Sequence, residues 1–192
     1  MKLLVDRIGE EPSEHAFEPD PVWWEEAGRA IPDLSGADRQ SFALRFRAHR
    51  MADDLYLAGE VVGRVELECV RCLARYFHAL REEFRLVLEP VGDRVPTEPA
   101  EAEALARDGL ALGDELESGW FRGPEIELGG YVREVVALAL PVQPLCREDC
   151  KGLCPRCGAD RNREACGCEE MKPSSPFAVL AALRGGRSEG DQ

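Results

Sequence analysis

The sequence predicts an α+β fold: an antiparallel β meander or partly closed sheet, covered by a C-terminal helix and followed by a cysteine-rich segment. Three observations predict it. Between positions 41 and 90, apolar and polar residues alternate with the period of two that half-buried strands require. From 128 to 139 the apolar spacing becomes i, i+4, i+7, i+8, i+11, the stripe of an amphipathic helix. Six of the eight cysteines then crowd into 146–168, a polar run too rich in Gly, Pro, Arg and Asp to form a hydrophobic core.

Taken in order, residues 3–8 read as a short strand and 10–20 as an acidic connection. Trp23 and Trp24 follow Pro21, and adjacent tryptophans ordinarily serve as one buried and one partly buried anchor. Phe42, Leu44, Phe46 and Ala48 alternate with Ala43, Arg45 and Arg47 to make the first meander strand. Leu55 and Leu57 start a second, Gly59 begins a turn, and Val61 with 65–67 makes a third that runs into Cys69. Alternation resumes at 76–80 and 84–88 until Pro90 ends it, which leaves the ECVRC run at a hairpin tip. The acidic stretch 96–120 has room for a helical turn at 101–107, limited by Gly109 and Gly113, and its length favours mobility. Residues 125–128 form a short strand or helix lead-in. Leu128, Val132, Val135, Val136 and Ala139 then supply a helix face that covers the sheet, and Pro141 closes the helix. Ser175 as N-cap, Pro176 at N1, and the stop at Gly185 and Gly186 predict a last helix over 176–184. The expected organisation is one domain: a β-rich region 1–90, a mobile acidic connection 91–124, a helical and cysteine-bearing part 125–185, and a disordered tail 186–192.

Charge and compartment narrow the chemistry. Hydrophobic residues make up 44% of the 192-residue chain and charged ones 32%, which suits a soluble globular protein. No run approaches the ~20 apolar residues of a membrane span, and the first residues lack a signal-peptide core. The expected location is therefore the cytosol, where thiols stay reduced and clustered cysteines point to metal rather than to disulfides. A net charge of −13 argues against broad nucleic-acid contact. The acidity is concentrated in 1–40 and 91–128, however. Lys151, Arg156, Arg161 and Arg163 surround the late cysteines with only Asp160 among them. These cations either offset the net −2 of a four-thiolate zinc site or form a small contact patch for RNA or another partner.

Eight cysteines are two sets of four, and a structural zinc site takes four ligands in a tetrahedron. Three divisions are open. Cys69, Cys72, Cys146 and Cys150 form one site and Cys154, Cys157, Cys166 and Cys168 the other; or the two Cys-x2-Cys pairs join; or Cys146, Cys150, Cys154 and Cys157 make a local site. The first is physically the best. Cys154 to Cys168 closes a self-contained loop, with Gly158 relieving the knuckle and Gly167 the return, while Cys146 and Cys150 lie one helical turn apart. Zinc is expected, two Zn²⁺ per chain, since cytosolic availability favours zinc over an iron site with the same ligands. His15, His49 and His78 fall outside cysteine-like spacing. A thiol-redox or metal-handling role for the Cys-x2-Cys pairs is the rival reading, although such pairs ordinarily open a helix in a βαβ setting. The sequence has no phosphate loop, Ser–His–Asp set or HExxH motif, so no enzyme is expected.

ECVRCL in mid-chain, LALPVQPLCREDCKGLCPRCGADRN followed by CGC, and the closing PFAVLAAL together resemble the YceD family of large-subunit ribosomal RNA accumulation proteins. The resemblance covers about half the chain, and CKGLCPRCG is its most specific part. It implies a non-catalytic factor supporting large-subunit rRNA accumulation or processing and ribosome assembly. The partners implied are an assembly intermediate, rRNA or a basic ribosomal protein, with no membrane and no small-molecule substrate.

Overall fold

The computed structural model describes residues 1–93, 98–113 and 116–168; the helix expected at 176–184 and the tail after it lie outside the described residues. The chain divides into two compact units, Met1–Cys150 and a second beginning at Lys151.

The first unit is built on a six-stranded sheet. β1 (Lys2–Leu4) stands apart from it and pairs with β8 (Glu125–Glu127). The main sheet has the order β2 (Ser13–Phe17), β3 (Ala43–Met51), β4 (Asp54–Glu68), β5 (Arg75–Pro90), β7 (Ser118–Phe121) and β6 (Leu110–Leu112). All pairings are antiparallel except β5 with β7. The alternation predicted at 42–88 is present: Leu44, Leu55, Leu57, Leu86 and Leu88 are almost fully buried on one face. Burying each such side chain stabilises by about 1.5–3 kcal/mol.

Two helices cover that face. α1 (Pro21–Ala30) starts with Asp20 as N-cap, whose carboxylate accepts from the Trp23 N–H at 2.8 Å, and has Pro21 in its first turn. α3 (Gly129–Ala139) buries Val132, Val135 and Val136 as its spacing predicts, and Tyr131 packs edge-on to Phe84 of β5. Trp24 makes a similar edge contact with Phe42, and the Trp23 indole N–H donates to the Gly129 carbonyl at 2.9 Å. Both tryptophans are therefore buried, where one partly exposed ring was expected.

Four sequence expectations need correction. The connection expected over 10–20 contains the edge strand β2, because Ser13, His15 and Phe17 alternate against β3. Gly59 does not begin a turn: β4 runs through it unbroken. A Cβ there would lie 2.1 Å from the Arg45 carbonyl oxygen and 2.5 Å from the Phe46 Cα, so the missing side chain lets β3 approach closely. The stretch 91–124 carries α2 (Pro99–Asp108), β6 and β7 rather than a bare connection. Its helix stops at Gly109, which takes φ +67 as a left-handed C-cap. Finally, Cys146 and Cys150 are not joined by a helical turn. Among Pro141 and Pro144 the backbone bends, and a turn closed by the Cys150 N–H on the Arg147 carbonyl (3.1 Å) brings the two thiols round.

Candidate metal centre

The cysteines gather into two tetrads, Cys69, Cys72, Cys146 and Cys150, and Cys154, Cys157, Cys166 and Cys168, each with all four sulfurs within 4.8 Å of one another. Of the three divisions open from the sequence, the structure brings together the first. Each tetrad lies within one of the two compact units.

The first tetrad is assembled from a hairpin tip and a returning chain. β4 and β5 carry Cys69 and Cys72 to their tip, and the Val70 N–H donates to the Pro144 carbonyl at 2.9 Å. The Arg71 guanidinium donates to the Cys150 carbonyl, also at 2.9 Å. These bonds fix residues 144–150 against the tip. The Sγ–Sγ distances are 3.8 Å for Cys69 to Cys150 and 3.7 Å for Cys72 to Cys146. Four sulfurs about 2.3 Å from a shared ion form a tetrahedron with an edge of about 3.8 Å. The donor set thus fits one tetrahedral metal ion.

Burial raises the Cys69 thiol, but the N–H groups of Cys146, Cys72 and Arg71 aim at its sulfur and bring it down to about 6. Burial pushes Cys146 up to about 12, aided by the Cys72, Cys150 and Cys69 side chains. Opposed shifts within one cluster are what four thiols produce when the first thiolate to form makes the next costlier. A bound cation would supply the missing charge. Tyr76 is half-buried beside the same group and raised by that burial and by Cys69 and Cys146.

The second tetrad repeats the geometry of the first at its knuckle. The Cys157 and Arg156 N–H groups bring the Cys154 thiol down to about 6 against the effect of burial, and Cys168 is pushed up to about 12 by Cys157, burial and Cys154. The Gly158 N–H donates to the Cys154 carbonyl (2.9 Å) and the Cys154 N–H to the Ala159 carbonyl (2.8 Å). In the first tetrad, Leu73 N–H to Cys69 carbonyl (2.8 Å) and Cys69 N–H to Ala74 carbonyl (3.0 Å) are the same two bonds. The fifth residue is left-handed in both, with φ +73 at Gly158 and +57 at Leu73. Sequence reasoning missed this repeat, although the signal is legible: Cys69-Val-Arg-Cys-Leu-Ala74 aligns with Cys154-Pro-Arg-Cys-Gly-Ala159.

Of the residues expected to make a contact patch, Lys151, Arg156 and Arg163 are exposed and Arg161 is half-buried. Arg163 lies 3.4 Å from Asp160, and the Lys151 N–H donates to the Asn162 side chain at 2.8 Å. The three histidines join no metal-capable cluster among the described residues. His15 stacks on Phe46 and His49 on Tyr56. No helix among the described residues is long and apolar enough to cross a membrane.

Fold and site define an α+β sheet protein with two cysteine tetrads, each able to hold a metal ion. The sequence model of the family described as "Large ribosomal RNA subunit accumulation protein YceD" matches residues 57–184, and the chain belongs to that family. Among curated proteins it is similar to the Arabidopsis thaliana "Large ribosomal RNA subunit accumulation protein YCED homolog 1, chloroplastic", with 25% identity over 154 residues, covering 70% of this chain and 46% of that protein. An uncharacterized protein of Mycobacterium tuberculosis is 31% identical over 118 residues, 60% of this chain and 49% of the relative. One from Mycobacterium leprae is 29% identical over 115 residues, 60% and 46% respectively. The chain spans about half the length of these curated relatives. No solved structure matches it.

Proposed function

We propose that the chain is a non-catalytic, zinc-binding factor that supports large-subunit rRNA accumulation or processing during ribosome assembly. Family membership carries the role in rRNA accumulation. The tetrads support two Zn²⁺ per chain, because four thiolates at tetrahedral spacing suit a structural zinc site with no open position for substrate. Zinc would neutralise half the charge of each thiolate set and tie its loops together. The cytosolic setting expected from the sequence and a partner among assembling large-subunit particles, rRNA or a basic ribosomal protein belong to the same reading. Lys151, Arg156, Arg161 and Arg163 are the residues assigned to that contact in the second unit.

The test is sedimentation of lysate at low salt with the metal-replete chain. Co-migration with precursors of the large subunit is the expected result, and absence from those fractions at every salt tested overturns the reading. Elemental analysis should give two zincs per chain. Rapid labelling of Cys69 and Cys72 in the zinc-loaded protein would instead favour thiol chemistry.

A further inference from the structure

We propose that the outward face of β3, β4 and β5 binds a short run of single-stranded RNA through residues other than the cysteines. The inference deepens the proposed role in rRNA accumulation and rests on it.

Pairing register places Arg47, Ala58 and Arg85 in one row across the three strands, and His49, Tyr56 and Val87 in the next row on the same face. Because Ala58 is short, the two guanidinium side chains flank a recess. Its volume is about 290 Å³, and its walls include the stacked rings of His49 and Tyr56, 5.3 Å apart and 20° from parallel. That is close to the ~300 Å³ at which small-molecule pockets begin, and it suits one planar base with its phosphate at the rim. The charges at the rim are available. Among the described residues the Arg85 guanidinium makes no ion pair or hydrogen bond, and Arg47 reaches Glu14 only at 3.5 Å with both side chains largely exposed.

A second platform lies further along the same face. Phe77 on β5 is 56% exposed, and the Arg64 guanidinium sits 4.7 Å over its ring. Ten residues of strand separate Phe77 from Val87, about 33 Å at ~3.3 Å per residue. Outward-facing Arg81 stands between them, paired with Glu60 at 2.8 Å. Two aromatic platforms joined by arginines are the parts from which proteins hold unpaired strands, with site sizes of about 4–16 nucleotides. Glu60 and Glu83 face outward in the row next to Arg47, Ala58 and Arg85, so the surface does not offer the continuous positive charge that a duplex backbone needs. Unpaired bases engage the rings instead, and few phosphates need to be met. This reconciles RNA contact with a chain of net charge −13.

The experiment is fluorescence anisotropy of the full, zinc-loaded chain with a labelled 12-nucleotide single-stranded RNA at low salt. Tyr56→Ala and Phe77→Ala should each weaken binding about 5- to 150-fold, the range of one lost base stack. Arg85→Gln, wholly on the surface, should weaken it and reduce the salt slope by about 0.7. Arg29→Gln, exposed on α1 against the opposite face of the sheet, should leave affinity unchanged, as should competition with duplex RNA. RNA binding that is indifferent to Tyr56, Phe77 and Arg85, or lost equally in Arg29→Gln, overturns the assignment. So does failure of the unaltered chain to bind single strands. If the chain still co-sediments with large-subunit precursors in that last case, the assembly role stands and only this surface is wrong.

Discussion

The paired knuckles allow one backbone term to be tested from both directions. Gly158 sits at φ +73 with no atom within 4 Å of the position its Cβ would take, so Gly158→Ala meets no steric neighbour. Its cost is the left-handed backbone, about 1–2 kcal/mol for a residue with a Cβ, less the about 0.5–1 kcal/mol by which alanine's smaller unfolded-state freedom favours folding, a net of about 0.5–1 kcal/mol. At ~1.4 kcal/mol per tenfold, metal should be held about 2- to 5-fold more weakly at the second tetrad. Leu73 occupies the equivalent position at φ +57 and is 56% exposed, so Leu73→Gly removes that strain with little loss of packing. Greater freedom of the unfolded glycine takes back about 0.5–1 kcal/mol, leaving a net gain of about 0.5–1 kcal/mol at the first tetrad. The assay is competition with a metal-binding dye, followed by alkylation and mass spectrometry to report each cysteine's protection. Gly158→Ala should expose Cys154, Cys157, Cys166 and Cys168 at lower dye concentration, with the other four unmoved. Protection that falls equally in both tetrads, or in neither, refutes the knuckle argument.

Other predictions follow from the same geometry. Cys154→Ser should lose one metal and open the second unit to protease while the sheet melts as before; Cys69→Ser should lose one metal and lower the melting temperature of the first unit. Identical proteolysis patterns would contradict this division of the cysteines. Gly59→Ala drives a Cβ into the Arg45 and Phe46 backbone, and an overpacking cost of about 1–3 kcal/mol should lower Tm by about 2–4 °C per kcal/mol. A Tm equal to that of the unaltered chain would show that β3 and β4 separate freely there. His15 is held below 6.5 by burial. The neutral ring is therefore favoured, and its contribution to stability is present above pH 6.5 and lost as pH falls through the lower, folded value. NMR titration should give a midpoint under 6.5, and one above it would contradict the burial argument.

The sequence revealed what periodicity and cysteine spacing encode. The alternation through Leu44, Leu57, Leu86 and Leu88 located the meander, and the 3.6-residue stripe through Val132 and Val136 located the covering helix. The tetrads were legible because Cys154 to Cys168 closes on itself and leaves the other four to find each other. What stayed hidden depended on partners distant in sequence. β2 is short and flanked by acidic residues, and its burial comes from pairing with β3. β7 joins β5 in parallel across an intervening helix, a pairing that no local pattern announces. Gly59 read as a turn because glycine's two uses, bending and close approach, look alike until the neighbouring strand is known. The Asp20-Pro21 helix start was a local signal and could have been read.

The two tetrads differ in what a bound metal would do for the fold. Cys72 and Cys146 are 74 positions apart and Cys69 and Cys150 are 81 apart, so the first tetrad closes a long loop that contains β5, α2 and α3. Cross-linking a loop of that length removes roughly 4.5 kcal/mol of unfolded-state entropy, by the same chain statistics that give about 3 kcal/mol for a 15-residue loop. The second tetrad lies wholly within 154–168 and closes only a loop of the shorter kind. Direct bonds add to the contrast, since the hairpin tip is also held to the returning chain by Val70 on Pro144 and Arg71 on Cys150. Metal at the first tetrad therefore stabilises the register between the tip of β4–β5 and the segment after α3. Metal at the second stabilises its own loop. Removing both should leave the leucine core of the sheet in place, because that core is complete without a sulfur, and should free residues 141–150 from the hairpin tip first.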